Sequence, residues 1–215
     1  MPKKGSSRRW IERHVADPYV REAQREGYRS RAAYKLLEID QRDKILRPGL
    51  TVIDLGAAPG GWSQVAAERL AGKGRIIALD LLPMEPIPGV DFIQGDFREQ
   101  EVLDRLLQVL GETSKGEISE TGRVGLVMSD MAPNISGISS IDQPRALYLA
   151  ELVLDVARRV LAPAGDLLIK VFQGEGTEAL FREAHASFRT VVTRKPRSSR
   201  PHSRETYLLA RNYGM

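Results

Sequence analysis

Residues 51–63 read Thr-Val-Ile-Asp-Leu-Gly-Ala-Ala-Pro-Gly-Gly-Trp-Ser. A short apolar run, Thr51 to Leu55, ends in a glycine-rich turn, and Trp62 to Leu70 follows with the pattern of a helix. A buried strand handing over to a helix in this way opens a βαβ unit. The turn fails two familiar nucleotide-binding forms. A dinucleotide fingerprint needs G-x-G-x-x-G, but position 58 is Ala and Pro59 interrupts the turn. A phosphate-cradling loop needs G-x-x-x-x-G-K-[ST], and Trp62 stands where its lysine belongs. The glycines still let the backbone approach a ligand closely, which suits a cofactor that carries an amino acid and a cation rather than phosphates. In that reading Asp54 receives an ammonium and the helix N-terminus a carboxylate.

Outward from this turn, the chain alternates strands and helices. Strands are predicted at Arg75–Asp80, Val90–Gln94, Val124–Ser129 and Asp166–Phe172. Helices are predicted at Arg31–Ile39, Glu99–Leu110, Gln143–Leu161 and Thr177–Phe188. Continuous apolar strands separated by helices imply a parallel sheet covered on both faces. Two last strands, near Thr190–Thr193 and Glu205–Ala210, are joined by a Pro/Ser/Arg loop too short for a crossover helix, so they should pair antiparallel. The fold class is therefore α/β, a doubly wound sheet, mostly parallel, with a C-terminal antiparallel strand. Residues 31–215 form a single domain, and residues 1–30 a basic, partly flexible extension. Residues 111–122 are polar and read as a surface loop.

The chain has 215 residues and no cysteine, which removes disulfides, thiolate metal sites and cysteine nucleophiles together. No apolar run is long enough to span a bilayer, and no apolar core follows the basic N-terminus as in a secretory signal. A cytoplasmic protein that needs no membrane is the expectation. The net charge of +4 hides an asymmetry. Residues 1–35 carry ten Lys/Arg against four Asp/Glu, and residues 189–204 carry six Lys/Arg and no acid, so each segment is +6 and the remainder is −8. Two basic segments on an acidic body point to a polyanionic partner such as RNA. For residues 1–9 a solubilising tail explains the charge as well. Trp10, Tyr19, Tyr28 and Tyr34 lie among arginines, where stacking on bases competes with packing of the lead-in helix. His14, His185 and His202 are scattered without ligand spacing, and no metal is expected.

Strand ends supply the remaining candidates. Asp80 ends the second strand, where a carboxylate accepts hydrogen bonds from ribose hydroxyls. Asp96, with Phe97 beside it, ends the third and can hold an adenine amino group. Helix capping is the alternative use of each aspartate taken alone. Lys170 lies within the apolar run Leu167–Phe172, and Asp130 stands at the end of Val124–Ser129. Buried charges are costly unless paired, so the two form either a structural ion pair or part of a reacting site.

Six blocks together carry a family resemblance: DLGAAPGGWSQ at 54–64, ALDLLPM at 78–84, QGDF at 94–97, VMSDMAPN at 127–134, IKVFQGEG at 169–176 and SRETY at 203–207. They closely resemble the FtsJ/RrmJ family of 2′-O-methyltransferases of 23S ribosomal RNA, over nearly the whole chain. The resemblance implies the Rossmann-like fold of class I methyltransferases, S-adenosyl-L-methionine as cofactor, and ribosomal RNA in the large subunit as partner, with a uridine of the A-loop as target and the enzyme acting as a monomer. It assigns a catalytic tetrad to Lys35, Asp130, Lys170 and Glu205. It assigns cofactor contacts to Gly60, Trp62, Asp80, Asp96 and Asp130, beside the Asp54 and Gly56 of the turn. Methylation of transfer RNA or an mRNA cap, or a non-catalytic ribosome-assembly role, are the competing readings. A nicotinamide-dependent oxidoreductase is disfavoured by the absent dinucleotide fingerprint.

Overall fold

The computed structural model describes residues 17–111, 123–200 and 202–215. Most of the expected polar loop at 111–122, Trp10, His14 and the first sixteen residues of the expected extension lie outside the described residues. The elements in chain order are α1 (Pro18–Glu26), α2 (Ala32–Asp43), β1 (Thr51–Leu55), α3 (Gly61–Leu70), β2 (Arg75–Asp80), β3 (Val90–Gln94), α4 (Gln100–Leu110), β4 (Val124–Ser129), α5 (Ser139–Val160), β5 (Leu161–Phe172), α6 (Thr177–Ser187), β6 (Phe188–Arg194) and β7 (Glu205–Tyr213).

The strands form one seven-stranded sheet in the order β3-β2-β1-β4-β5-β7-β6. Strands β1 to β5 pair parallel, while β7 inserts antiparallel between β5 and β6. The antiparallel pairing of the last two strands is as the short connection requires. Because β1 and β4 are neighbours whose crossovers run to opposite sides, the switch point of the sheet lies between their carboxyl ends, where ligands bind in open α/β sheets.

Alternation along the buried strands divides the core in two. Ile53, Ile77, Val127, Leu167 and Ile169 face α4, α5 and α6, packing with Leu106, Leu154, Ala157 and Leu180. Val52, Ile76, Leu126, Met128 and Leu168 face α2 and α3, packing with Leu36, Ile39, Trp62 and Val65. Lys170 therefore shares the face of Leu168, and Asp54 that of Val52, both turned toward α2 and α3.

Several elements depart from the sequence-based boundaries: helix α2 runs on past Ile39 to Asp43, and strand β7 past Ala210 to Tyr213. The basic lead-in contains a helix, α1, capped by the Asp17 side chain accepting from the Tyr19 amide. Tyr19 of α1 and Tyr28, just beyond its end, pack against Tyr34 of α2 with ring centroids 5.4 and 5.7 Å away. Helix α5 begins at Ser139 rather than Gln143, because the Asp142 carboxylate accepts from the Ser136 and Gly137 amides and the Ser136 hydroxyl, which orders one more turn. Strand β5 begins at Leu161, which pairs with Val124 before a register shift; Asp166–Phe172 is its continuously paired part.

Candidate active site

The end of β1 and the start of α3 form the floor of the site. Gly56 has φ of 73° and Gly60 of 105°, conformations open to glycine but strained for other residues. A Cβ on Gly56 would stand 1.9 Å from Met131 Cγ, so the turn closes on the segment after β4 only because no side chain intervenes. Arg29 fastens the same turn from outside, donating to the carbonyls of Pro59 (3.3 Å), Glu85 (2.5 Å) and Pro86 (2.7 Å). Helix α3 has Gly60 as its N-cap, and among the described residues no side chain caps it.

Two cavities meet at this floor. The larger, about 660 Å³, is lined by Asp80, Leu81, Leu82, Asp96, Phe97 and the Asp130–Asn134 segment. The smaller, about 300 Å³, is lined by Lys35, Asp54, Gly61 and Trp62. Gly56, Ala58 and Asp130 line both. The two form a bent trough across the switch point. Asp80 is oriented by backbone donors, the amides of Ala58 and Leu82, each at 2.8 Å. Asp96 is gripped by Arg98, whose Nε lies 2.9 Å from both carboxylate oxygens; those hydrogen bonds lower the Asp96 pKa. Asp54 is buried at the back of the smaller cavity and accepts from the Ser63 hydroxyl at 2.6 Å. Burial raises its pKa to about 7; the Ser63 hydrogen bond opposes the rise, and the charges of Asp130 and Asp80 add to it. Trp62 is buried, its indole N–H donating to the Ala32 carbonyl (2.9 Å) and its ring 5.7 Å from that of Tyr207, so it shapes the wall of the smaller cavity chiefly through packing.

Above the trough, Lys35, Asp130, Lys170 and Glu205 converge from α2, the end of β4, β5 and the start of β7. Lys170 Nζ lies 2.8 Å from Asp130 Oδ1 and donates to the Asp130 carbonyl at 2.6 Å. Lys35 Nζ lies 2.9 Å from Glu205 Oε1 and 3.6 Å from Asp130 Oδ1. Lys170 to Glu205 Oε2 is 3.9 Å. Two cations and two anions thus compensate one another with side chains 7 to 17 % exposed, where removing one partner would leave a costly uncompensated charge. Burial would raise the Glu205 pKa, but the Lys35 and Lys170 charges and the hydrogen bonds from Lys35 and Ser199 outweigh it and bring it down to about 2.

All four tetrad candidates come together, and the candidates Asp54, Gly56, Trp62, Asp80 and Asp96 line the trough; Gly60 lines neither cavity and lies within the turn, facing Met84, Ile87 and Arg29. Sequence reasoning missed several residues that hold them. Tyr207 is fully buried and donates its one hydroxyl hydrogen to Asp130 Oδ1 (2.6 Å), with Glu205 Oε1 at 3.3 Å as the weaker, shared acceptor. Its spacing of two from Glu205 on a strand puts both on one face, a signal present in the sequence. Ser199, donating to Glu205 Oε1 at 2.8 Å, had no such signal. The loop that carries it is held by Glu38, which accepts from the amides of Arg197 (2.6 Å) and Ser198 (2.9 Å), and by Arg31, which grips both Asp17 and the Ser198 carbonyl.

The second basic segment is partly consumed by structure. Arg194 makes a two-pronged bond to Asp43, at 2.6 and 2.7 Å, and Lys195 donates to the carbonyls of Ser203 and Glu205, each at 2.6 Å.

The trough fits S-adenosylmethionine: three acidic side chains stand at successive strand ends, and an uncapped helix N-terminus opens beside Asp54. Asp54 and the start of α3 would hold the amino-acid end, Asp80 the ribose and Asp96 with Phe97 the adenine. The family model for FtsJ-like methyltransferases matches residues 28–213. The chain is 57 % identical over 209 residues to the ribosomal RNA large subunit methyltransferase E of Alkalilimnicola ehrlichii, covering 97 % of this chain and 96 % of that one. It is 56 % identical over 213 residues to the protein of the same name from Pseudomonas aeruginosa, covering 99 % of each. Among solved structures, a ribosomal RNA methyltransferase of Plasmodium falciparum superposes with a TM-score of 0.75 at 30 % identity, covering 86 % of this chain and 98 % of that one. Human methyltransferase-like protein 13, solved with S-adenosylhomocysteine, shares the fold at a TM-score of 0.55 and 13 % identity, covering 85 % of this chain and 80 % of that one. With its S-adenosylmethionine-dependent methyltransferase fold, the chain belongs to the FtsJ-like methyltransferase family.

Proposed function

We propose that this protein transfers a methyl group from S-adenosylmethionine to a ribose 2′-hydroxyl of large-subunit ribosomal RNA, on a uridine of the A-loop. The carrying observation is the convergence of Lys35, Asp130, Lys170 and Glu205 over the point where the two cavities join. The names of the Alkalilimnicola and Pseudomonas relatives support ribosomal RNA of the large subunit as substrate.

The cofactor supplies a methyl group on a positively charged sulfur, a good leaving group, so the burden on the protein is the acceptor. A ribose hydroxyl is a weak nucleophile and must be aligned while its proton is removed. Lys170, fixed by two contacts to Asp130, is the group we assign to accept that proton as the neutral amine or, as the ammonium, to hold the charge developing on the oxygen. Asp130 orients Lys170 beside the transferred methyl. Lys35 and Glu205 position the sugar, and Tyr207 ties the Asp130 and Glu205 carboxylates together. Surface basic residues outside the ion pairs, such as Arg197, supply the sequence-independent attraction to phosphates.

The test is to incubate the protein with radiolabelled S-adenosylmethionine and RNA or large subunits from a strain lacking the enzyme, then map the product. Label on a ribose of large-subunit RNA is the expected result. Label on transfer RNA or a cap redirects the substrate assignment, and cofactor binding without transfer to any RNA overturns it.

A further inference from the structure

Beyond the cofactor trough, a third cavity of about 200 Å³ opens beside the tetrad. It is lined by apolar Ile135, Ala146 and Phe172 and by polar Gln143, His202 and Arg204. We propose that this cavity receives the base of an RNA nucleotide adjacent to the methylated ribose, with Arg204 contacting its phosphate. The inference rests on the ribose-methylation reading.

Placement is the first argument. Phe172 is the register partner of Glu205 across β5 and β7, and Arg204 immediately precedes Glu205, its carbonyl accepting from the Gln173 amide at 2.9 Å. On the other side, the segment after β4 supplies Asp130–Asn134 to the cofactor trough and Ile135 to this cavity. A strand of RNA whose ribose lies at the tetrad therefore has its neighbouring nucleotide at this opening.

Chemistry is the second argument. Ile135 is 62 % exposed although it lines a cavity, an apolar surface left without a covering group. Together with the Phe172 ring it offers what an unstacked base seeks when it leaves its neighbours. The volume falls below the roughly 300–1,000 Å³ of drug-sized ligand sites and suits one planar ring. Gln143 is fixed at the floor. Its Nε2 donates to the Phe172 carbonyl at 2.8 Å, and Gly174 packs so closely that a Cβ there would lie 2.6 Å from Gln143 Cδ. Its Oε1, by contrast, has no hydrogen-bond partner among the described residues. The Asp142 carboxylate on the wall is already occupied by the Ser136 and Gly137 amides, and Arg204 spends one N–H on the Ser139 hydroxyl, keeping others for an anion.

The test compares KM and kcat for unmodified large subunits, and S-adenosylhomocysteine affinity, across wild type, Ile135→Glu, Arg204→Gln and Ile138→Glu. Ile135 is exposed enough that its replacement should leave the fold intact, which the Tm checks. Ile138, 53 % exposed, lies outside the cavity lining and controls for added negative charge. The expected result is a KM raised at least about tenfold by Ile135→Glu and by Arg204→Gln, the range of a lost base contact. S-adenosylhomocysteine affinity should be unchanged, and Ile138→Glu should stay within about twofold of wild type, well below that effect. A KM for Ile135→Glu within twofold of wild type, with label still on a ribose, overturns the base pocket alone. Loss only in Arg204→Gln reduces the cavity to a phosphate contact and overturns it too. Label on a base instead of a sugar fails the ribose reading, and the placement of the pocket falls with it.

Discussion

Replacing Asp54 by asparagine should relieve a pH-dependent instability of the cofactor-free protein. Burial raises the Asp54 pKa from 3.8 to about 7, with Asp130 and Asp80 adding and Ser63 opposing. Below the lower value the carboxyl is protonated in both the folded and unfolded states. Between the two values the folded protein keeps a proton that the unfolded chain releases, so stability falls as pH rises; above about 7 the full cost is present. About three pH units at ~1.4 kcal/mol each amount to on the order of 4 kcal/mol, of which about 2 kcal/mol accrues between about pH 5.5 and 7. Glu205 runs the other way. Its pKa is depressed to about 2 from 4.5, so its contribution is complete above the upper value, is lost as pH falls toward 2, and stays flat across this window. Asparagine can still accept the Ser63 hydroxyl through its amide oxygen but cannot ionise. Urea unfolding of both proteins at about pH 5.5 and pH 8 should show the variant gaining on wild type by about 2 kcal/mol between those conditions. The same variant should bind S-adenosylhomocysteine more weakly at pH 7.5, because an amide is a poor partner for an ammonium. A stability difference independent of pH would refute the reasoning.

Other perturbations test other parts of the site. Lys170→Ala should lower methyl transfer by about 10²–10⁴-fold, the range of a positioned acid–base group, with S-adenosylhomocysteine affinity close to wild type by calorimetry. Gly56→Ala places a Cβ against Met131 at a φ of 73°, and should lower the Tm and abolish measurable cofactor binding. Arg194→Ala leaves Asp43, whose side chain is 9 % exposed, without its partner, and should cost about 3–5 kcal/mol of stability by denaturant unfolding. Arg197→Glu, at an exposed side chain outside the ion pairs, should instead leave the Tm nearly unchanged and weaken RNA binding, with a shallower dependence of affinity on salt.

Legibility in the sequence followed how local each feature is. The switch-point turn and three strand-end aspartates, Asp54, Asp80 and Asp96, could be placed because apolar runs mark where strands stop. Asp130 and Lys170 stood out because a charge inside or at the end of an apolar run is costly. Lys35 and Glu205 had no such mark: one lies on a helix of ordinary spacing, the other at the head of a strand in a basic stretch. They were assigned only through family resemblance. Their approach to the other two depends on β7 inserting between β5 and β6, with Phe172 opposite Glu205 and Lys170 opposite Tyr207. That pairing is set by long-range register, which no local pattern encodes. The roles of Arg194 and Lys195 were hidden for the same reason, since their partners Asp43, Ser203 and Glu205 are brought near by the fold.

In the proposed reaction the four charged groups serve a sugar oxygen and no other acceptor. Once the labelled nucleotide is mapped, single-turnover transfer should be measured on RNA carrying a 2′-deoxy sugar at that position alone, with RNA binding measured in parallel. Near-normal binding with no transfer of label is the expected result. Transfer of the methyl group to the deoxy substrate at a wild-type rate would contradict it.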